Sequence, residues 1–236
     1  MRHNTCRESA GSHKQKGNYI LYDNKQNSLA VNISDKENTA VKEILNAKRA
    51  YTHSGVFHLD DLFGAITVKL INPKIEIIRV NKVPEDPEGI AFDIGGGKYD
   101  HHLDPVPKRD DGMPYAAFGL LFRALHRCFM DDRHYYLFDE CFIKEIDLCD
   151  NTNNMNPLSV ALLKFNGIWN AEENKDALFF DTMDKLTPGF ILMVKSFASG
   201  CSIRHSIYID QYIDDVLYGI AKNHGEARPD FGQDAK

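Results

Sequence analysis

Apolar positions along the chain change period several times, and each change marks an element. Leu59, Leu62, Phe63, Ile66 and Leu70 recur at helical spacing and predict an amphipathic helix ended by Asn72-Pro73. Residues 49–52 before it read as a short buried strand running into the polar loop His53-Ser54-Gly55. Residues 75–80 are β-branched and strand-like, and residues 89–94 read as a further strand closed by Gly95-Gly96-Gly97. Strand, helix, strand, strand predicts an α/β fold with a parallel sheet flanked by helices. In such sheets ligands gather at the carboxyl ends of the strands, where His53, Asp93 and the 100–102 segment fall.

The remainder reads as largely helical, with helices over 115–130, 135–148, 157–165 and 176–185. Thr187-Pro188, an N-cap followed by proline at the first helical position, predicts a new helix start. From there a helical pattern runs towards residue 223, broken near Ser199-Gly200. Upstream, two apolar runs at 19–22 and 28–33 around an Asn-rich turn predict a hairpin, followed by a helix over 39–48. The expected organisation is a leader at 1–17 without periodicity, a small hairpin–helix appendage at 18–48, a main domain at 49–224 and a loose tail at 225–236.

Composition narrows the function classes. Among 236 residues, 43% are hydrophobic, enough to bury a real core. Twenty-eight Lys and Arg against 34 Asp and Glu leave a net charge of −6, which argues against a protein that coats nucleic acid or grips duplex DNA strongly. An enzyme that holds a few phosphates through metal ions remains compatible with that charge. Five cysteines, without a C-x-x-C pair, speak against a disulfide framework and for reduced thiols in the cytoplasm. No apolar run reaches the roughly 20 residues needed to cross a bilayer, and the start of the chain lacks the apolar stretch of a secretory signal.

Four short stretches carry candidate chemistry. His53, His58, Asp60 and Asp61 lie within nine residues at a strand–helix junction, a donor set that suits manganese, iron or zinc, although Asp61 also fits a helix cap. Asp93 closes an apolar strand beside three glycines. Asp100-His101-His102 sets a carboxylate beside two imidazoles, as paired metal sites need. Asp147 and Asp150 sit at a helix C-terminus, where the macrodipole disfavours negative charge unless a cation compensates.

In this order, the segments 52–61, 93–96, 100–102 and 146–151 resemble the DHH phosphoesterase superfamily, most closely the melanocyte-proliferating-gene-one (Myg-type) family of DHH-like hydrolases. Tyr115–Leu120 is similar to that family's segment after the DHH triplet, and the likeness spans about residues 49–185. The resemblance implies two divalent metal ions, manganese foremost. His53 and His58 would hold one and Asp60 the other, Asp93 would bridge them, and His101 would bind the second. His102 would face the scissile phosphate, and Asp150, or Asp147 in the rival register, would be the last ligand. Lys98, Lys108 and Arg109 flank the triplet and are candidates for further phosphates. The implied activity is hydrolysis of a phosphodiester or phosphomonoester, of a nucleotide or short RNA or DNA. The sequence departs from the pattern after residue 150, where no Gly-Gly-Gly-His type motif marks the family's C-terminal domain. A non-catalytic metal-binding relative and a metal hydrolase of non-phosphate bonds are the alternatives.

Overall fold

The computed structural model of the protein describes residues 18–21, 29–32, 38–86, 88–152, 154–166 and 174–200. Strands β1 (Asn18–Leu21) and β2 (Leu29–Asn32) pair antiparallel, with Asn18 opposite Asn32. Helix α1 (Thr39–Asn46) follows, its first turn capped by the Asn38 carboxamide, which accepts from Ala40 and Val41 N–H. Val41 and Ile44 of α1 join the same buried cluster as the residues of the sheet and the later helices.

The central sheet contains β3 (Arg49–His53), β4 (Glu76–Val80) and β5 (Gly89–Ala91) in the order β4-β3-β5, all parallel, with Ala50 facing Ile77 on one side and Ile90 on the other. This is the parallel α/β arrangement expected from the sequence. Helix α2 (Leu59–Ile71) makes the crossover from β3 to β4 and is buried on every residue but Lys69. More than one apolar stripe is covered because α2 is a central helix. It lies against β3 and is itself packed by α3 (Ala117–Leu125), α5 (Lys144–Asn151) and α7 (Lys175–Ala198). Phenylalanines fill the space between: Phe63 lies 5.1 Å from Phe190 and Phe122 5.1 Å from Phe138, ring centre to ring centre.

Several boundaries differ from the periodic pattern. The third strand of the sheet stops at Ala91; Phe92 N–H still reaches the Tyr51 carbonyl, but Asp93 takes φ 57° and turns the chain out of the ladder. The 115–130 helix is α3 followed by a 3-10 turn, His126–Cys128. The 135–148 helix is α4 (Asp132–Phe138), a π-helical turn (Asp139–Ile143) and α5. Helix α6 (Pro157–Phe165) lies where the sequence puts it.

The Thr187-Pro188 start is a correction: α7 runs unbroken through Pro188 to Ala198. A proline inside a helix costs about 3 kcal/mol. Leu186, Phe190, Ile191, Val194 and Phe197 are all buried along α7, each contributing roughly 1.5–3 kcal/mol, so burial wins. The helix does end near the expected break, at Ser199 with Gly200 at φ 65°. The leader, the hairpin turn, the helical pattern towards residue 223 and the tail lie outside the described residues.

Candidate metal centre

The site forms at the carboxyl edge of the sheet because adjacent parallel strands end together. His53 is the last residue of β3, and Asp93 lies two residues beyond β5. The left-handed backbone at Asp93, then Gly95 at φ 89° and Gly96 at φ 72°, folds the chain back on itself. Asp93 N–H then bonds the Tyr99 carbonyl, which brings Asp100, His101 and His102 against Asp93. On the other side, the 54–58 loop is clamped from two directions. Arg79 donates to the Gly55 carbonyl at 2.9 Å and pairs with Asp176 at 2.8 Å. Asn166 both accepts from and donates to the Phe57 backbone, at 2.8 Å each way.

His58, Asp60 and Asp61 enter the site from the start of α2. Asp61 Oδ1 accepts from His58 N–H at 2.8 Å, closing the helix N-terminus, so the cap reading of Asp61 describes one of its two oxygens. Asp60 caps a different helix: its oxygens accept from Ala117 N–H at 3.0 Å and Phe118 N–H at 2.7 Å, at the start of α3. Ala116, the residue at that N-cap, has no side chain able to do this.

Around Asp93 the donor atoms converge. His53 Nε2 lies 3.2 Å from Asp93 Oδ2 and 3.2 Å from Asp61 Oδ2. His101 Nδ1 lies 3.4 Å from Asp93 Oδ1, and its Nε2 lies 2.9 Å from Asp150 Oδ2. His58 Nδ1 stands 3.4 Å from Asp150 Oδ1. His102 Nδ1 lies 2.7 Å from Asp100 Oδ1 and 3.8 Å from Asp93 Oδ1. Among the described residues, three overlapping groups of potential ligands result, each with one atom per residue within 4.8 Å of the others: Asp60, Asp93, His101 and Asp150; His53, Asp61 and Asp93; and Asp93, Asp100, His101 and His102. Asp93 belongs to all three. A cavity of about 510 Å³ opens over them, with His58 and His102 more than half exposed at its mouth.

Electrostatics shows what a cation would relieve in such a cluster. Four carboxylates, Asp60, Asp61, Asp93 and Asp150, crowd together with little water. Burial, with the charges of Asp93, Asp150 and Asp147, drives Asp60 well above the ordinary carboxylate range. Burial pushes Asp61 up to about 7 against the pull of His53. For His53 burial opposes the charge, yet the hydrogen bond to Asp93 and the charges of Asp61 and Asp93 push it up to about 9. His101 is likewise raised, against burial, by its bond to Asp150 and the charge of Asp93. Asp150 is held low despite burial, by His101 first. Three buried atoms of the cluster have no hydrogen-bond partner among the described residues: Asp61 Oδ2, Asp93 Oδ1 and His101 Nδ1. Buried polar atoms are normally satisfied, so carboxylate and imidazole atoms left over and facing one another fit divalent cations.

Asp147 and Asp150 part company here. Asp150 faces His101 and His58, whereas Asp147 is buried against Arg109 Nη2 at 2.6 Å and accepts from Gly119 N–H at 3.2 Å. A Cβ on Gly119 would collide with that carboxylate, so α3 and α5 can cross here only over a glycine. Arg109 itself is not a free phosphate-binding group. Its guanidinium is buried and committed to Asp139 at 2.7 Å through two bonds, to Asp147, and to the face of Tyr115. Lys98 is exposed but ion-paired with Glu43, and Lys108 is exposed on the loop after the His pair. The supporting residues Arg79, Asn166 and Asp176 carry no local sequence signal, since their partners lie 24 to 109 positions away.

Fold and site together define an α/β protein with a buried carboxylate–imidazole cluster suited to divalent cations. The chain belongs to the uncharacterised protein family UPF0160, whose family model, MYG1_exonuc, matches residues 49–214. No curated protein and no solved structure gives a significant match. Among the described residues, no helix is long and apolar enough to cross a membrane.

Proposed function

We propose that the protein is a hydrolase that uses divalent cations, manganese foremost, to cleave a phosphodiester or phosphomonoester of a nucleotide or short nucleic acid, with the chemistry of the DHH phosphoesterases. The observation that carries this reading is the set of buried ligand atoms around Asp93 that lack a hydrogen-bond partner among the described residues, beneath a cavity of about 510 Å³. The name of the matching family model points to an exonuclease and agrees with it.

When bound, such cations supply a nucleophile from water at neutral pH and neutralise charge on the attacking and leaving oxygens. The chain's own groups do the rest. Asp93 serves both halves of the site, because its Oδ2 faces His53 and its Oδ1 faces His101. Asp60, His101 and Asp150 hold the second half. His102 is oriented by Asp100 and lines the cavity, where its ring would face the phosphate. Of the flanking cations, Lys108 is the one left for a further phosphate.

The test is a manganese-dependent assay on short RNA, short DNA, dinucleotides and pyrophosphate, reading released nucleotide or phosphate. Turnover that needs added cation and disappears on chelation is expected. Bound cation without turnover on any of these substrates would replace this reading with a non-catalytic metal-binding protein.

A further inference from the structure

We infer that Asp61, and not His58, completes the cation seat formed with His53 and Asp93, and that His58 stands at the cavity mouth facing substrate. The inference rests on the cation-dependent reading above and changes its ligand set.

Three atoms face one another on the closed side of the site: His53 Nε2, Asp61 Oδ2 and Asp93 Oδ2, with the imidazole nitrogen 3.2 Å from each oxygen. The other ring nitrogen of His53, Nδ1, lies 3.0 Å from the Ser54 carbonyl, an acceptor, and so carries the proton of a neutral ring. In that neutral form the Nε2 lone pair points at two carboxylates. Three electron-rich atoms at that spacing repel unless a positive charge sits among them. A single proton on Nε2 provides one charge for two carboxylates; a divalent cation matches both.

Asp61 is fully buried, and its two oxygens do different work. Oδ1 is spent on the His58 N–H, and Oδ2, apart from its contact with His53, has no hydrogen-bond partner among the described residues. A cation bound by His53, His58 and Asp93 would leave that carboxylate oxygen buried beside it and unmatched, an expensive arrangement. His58 stands beside this seat and not in it: its ring centre is 5.6 Å from that of His53, but its side chain is 52% exposed, its Nδ1 is turned to Asp150 at 3.4 Å, and it belongs to none of the three ligand groups. The backbone bond from His58 to Asp61 explains why the two residues travel together: the carboxylate that closes the seat also fixes the imidazole at the mouth.

The experiment measures cation binding, with no substrate present. Manganese alone is titrated into the wild-type chain, Asp61→Asn and His58→Asn, following free Mn²⁺ by electron paramagnetic resonance. The asparagine at 61 keeps an oxygen for the helix cap, and melting curves in chelator check the fold. Two cations are expected for wild type and for His58→Asn. One is expected for Asp61→Asn, with the lost site weakened at least about 100-fold. Two cations in Asp61→Asn, or one in His58→Asn, overturns the assignment. Anomalous scattering from manganese-soaked wild-type crystals asks the same question without a variant. A cation bonded to Asp61 Oδ2 supports the inference; one bonded to His58 with Asp61 outside its shell overturns it. A wild-type protein that takes up no cation removes the proposed function as well, whereas unchanged stoichiometry in Asp61→Asn removes only the ligand assignment.

Discussion

The protein buries two groups of carboxylates, and they are finished differently. Around Arg109, Asp139 and Asp147 each receive hydrogen bonds from the guanidinium, and Gly119 N–H takes the remaining Asp147 oxygen. Around Asp93, comparable burial leaves Asp61 Oδ2, Asp93 Oδ1 and His101 Nδ1 without hydrogen-bond partners among the described residues. Asp147 is still pushed up to about 7 by burial against the pull of Arg109, so neither group is electrostatically comfortable. What separates them is completeness. The first is closed by the chain's own cation and ties α3 to α5, while the second keeps acceptor atoms that the described residues do not satisfy. A buried charge cluster is structural when its last acceptor is met by the fold, and a candidate site when it is not.

Breaking each cluster should therefore give different damage. The largest expected effect is on turnover in Asp93→Asn, which keeps a side chain suited to the left-handed backbone; cation-dependent hydrolysis should fall at least about 10,000-fold with the fold unchanged. Circular dichroism beside the assay checks this, and retained activity would refute the mechanism. Arg109→Ala should instead cost roughly 3–5 kcal/mol of stability, because two buried carboxylates lose their cation. Urea unfolding reads it, and Arg109→Lys should recover only part, lacking the fork that meets both acids. An Arg109→Ala protein as stable as wild type would erase the contrast.

Cation addition sharpens the comparison from the other side. Saturating manganese at about 100 times its Kd should stabilise the wild-type fold by about 2.7 kcal/mol for each site filled. The gain should vanish in Asp93→Asn and survive in Arg109→Lys, as thermal shifts would report. The smallest effect concerns pH. Below about 7 both His53 and Asp61 hold protons that a cation must displace, and above about 9 both are free. Apparent cation affinity should therefore rise with pH across that window, up to about tenfold per unit for each proton released. Titrations at pH 6, 7.5 and 9 in weak buffer measure both affinity and proton release; a flat profile would mean that these two residues do not meet the cation.

The sequence disclosed the parallel sheet because β3, α2 and β4 each repeat a clear period and nothing long-range overrides it. It was less informative where long-range packing decides. Pro188 carries a strong start signal, yet buried neighbours along α7 hold the helix through it. The split of the 135–148 helix at a π-helical turn has no marker in the residue pattern. Within the site, Asp93 and the Asp100-His101-His102 triplet stood out as clustered ligand types. Asp61 read both as one of the clustered ligand types and as a cap, because a sequence shows which residues neighbour an acid and not where its second oxygen points.

By itself the chain determined the order of strand and helix, the acidic balance and the stretches that carry imidazole and carboxylate groups, since these depend on local periodicity and residue chemistry. Tertiary structure alone decided that Asp150 rather than Asp147 faces His101, that Arg109 closes a cluster of its own, and that Asp60 caps α3 from 57 positions away. Those outcomes turn on a few ångströms of side-chain direction at helix crossings, a quantity set by packing against distant residues.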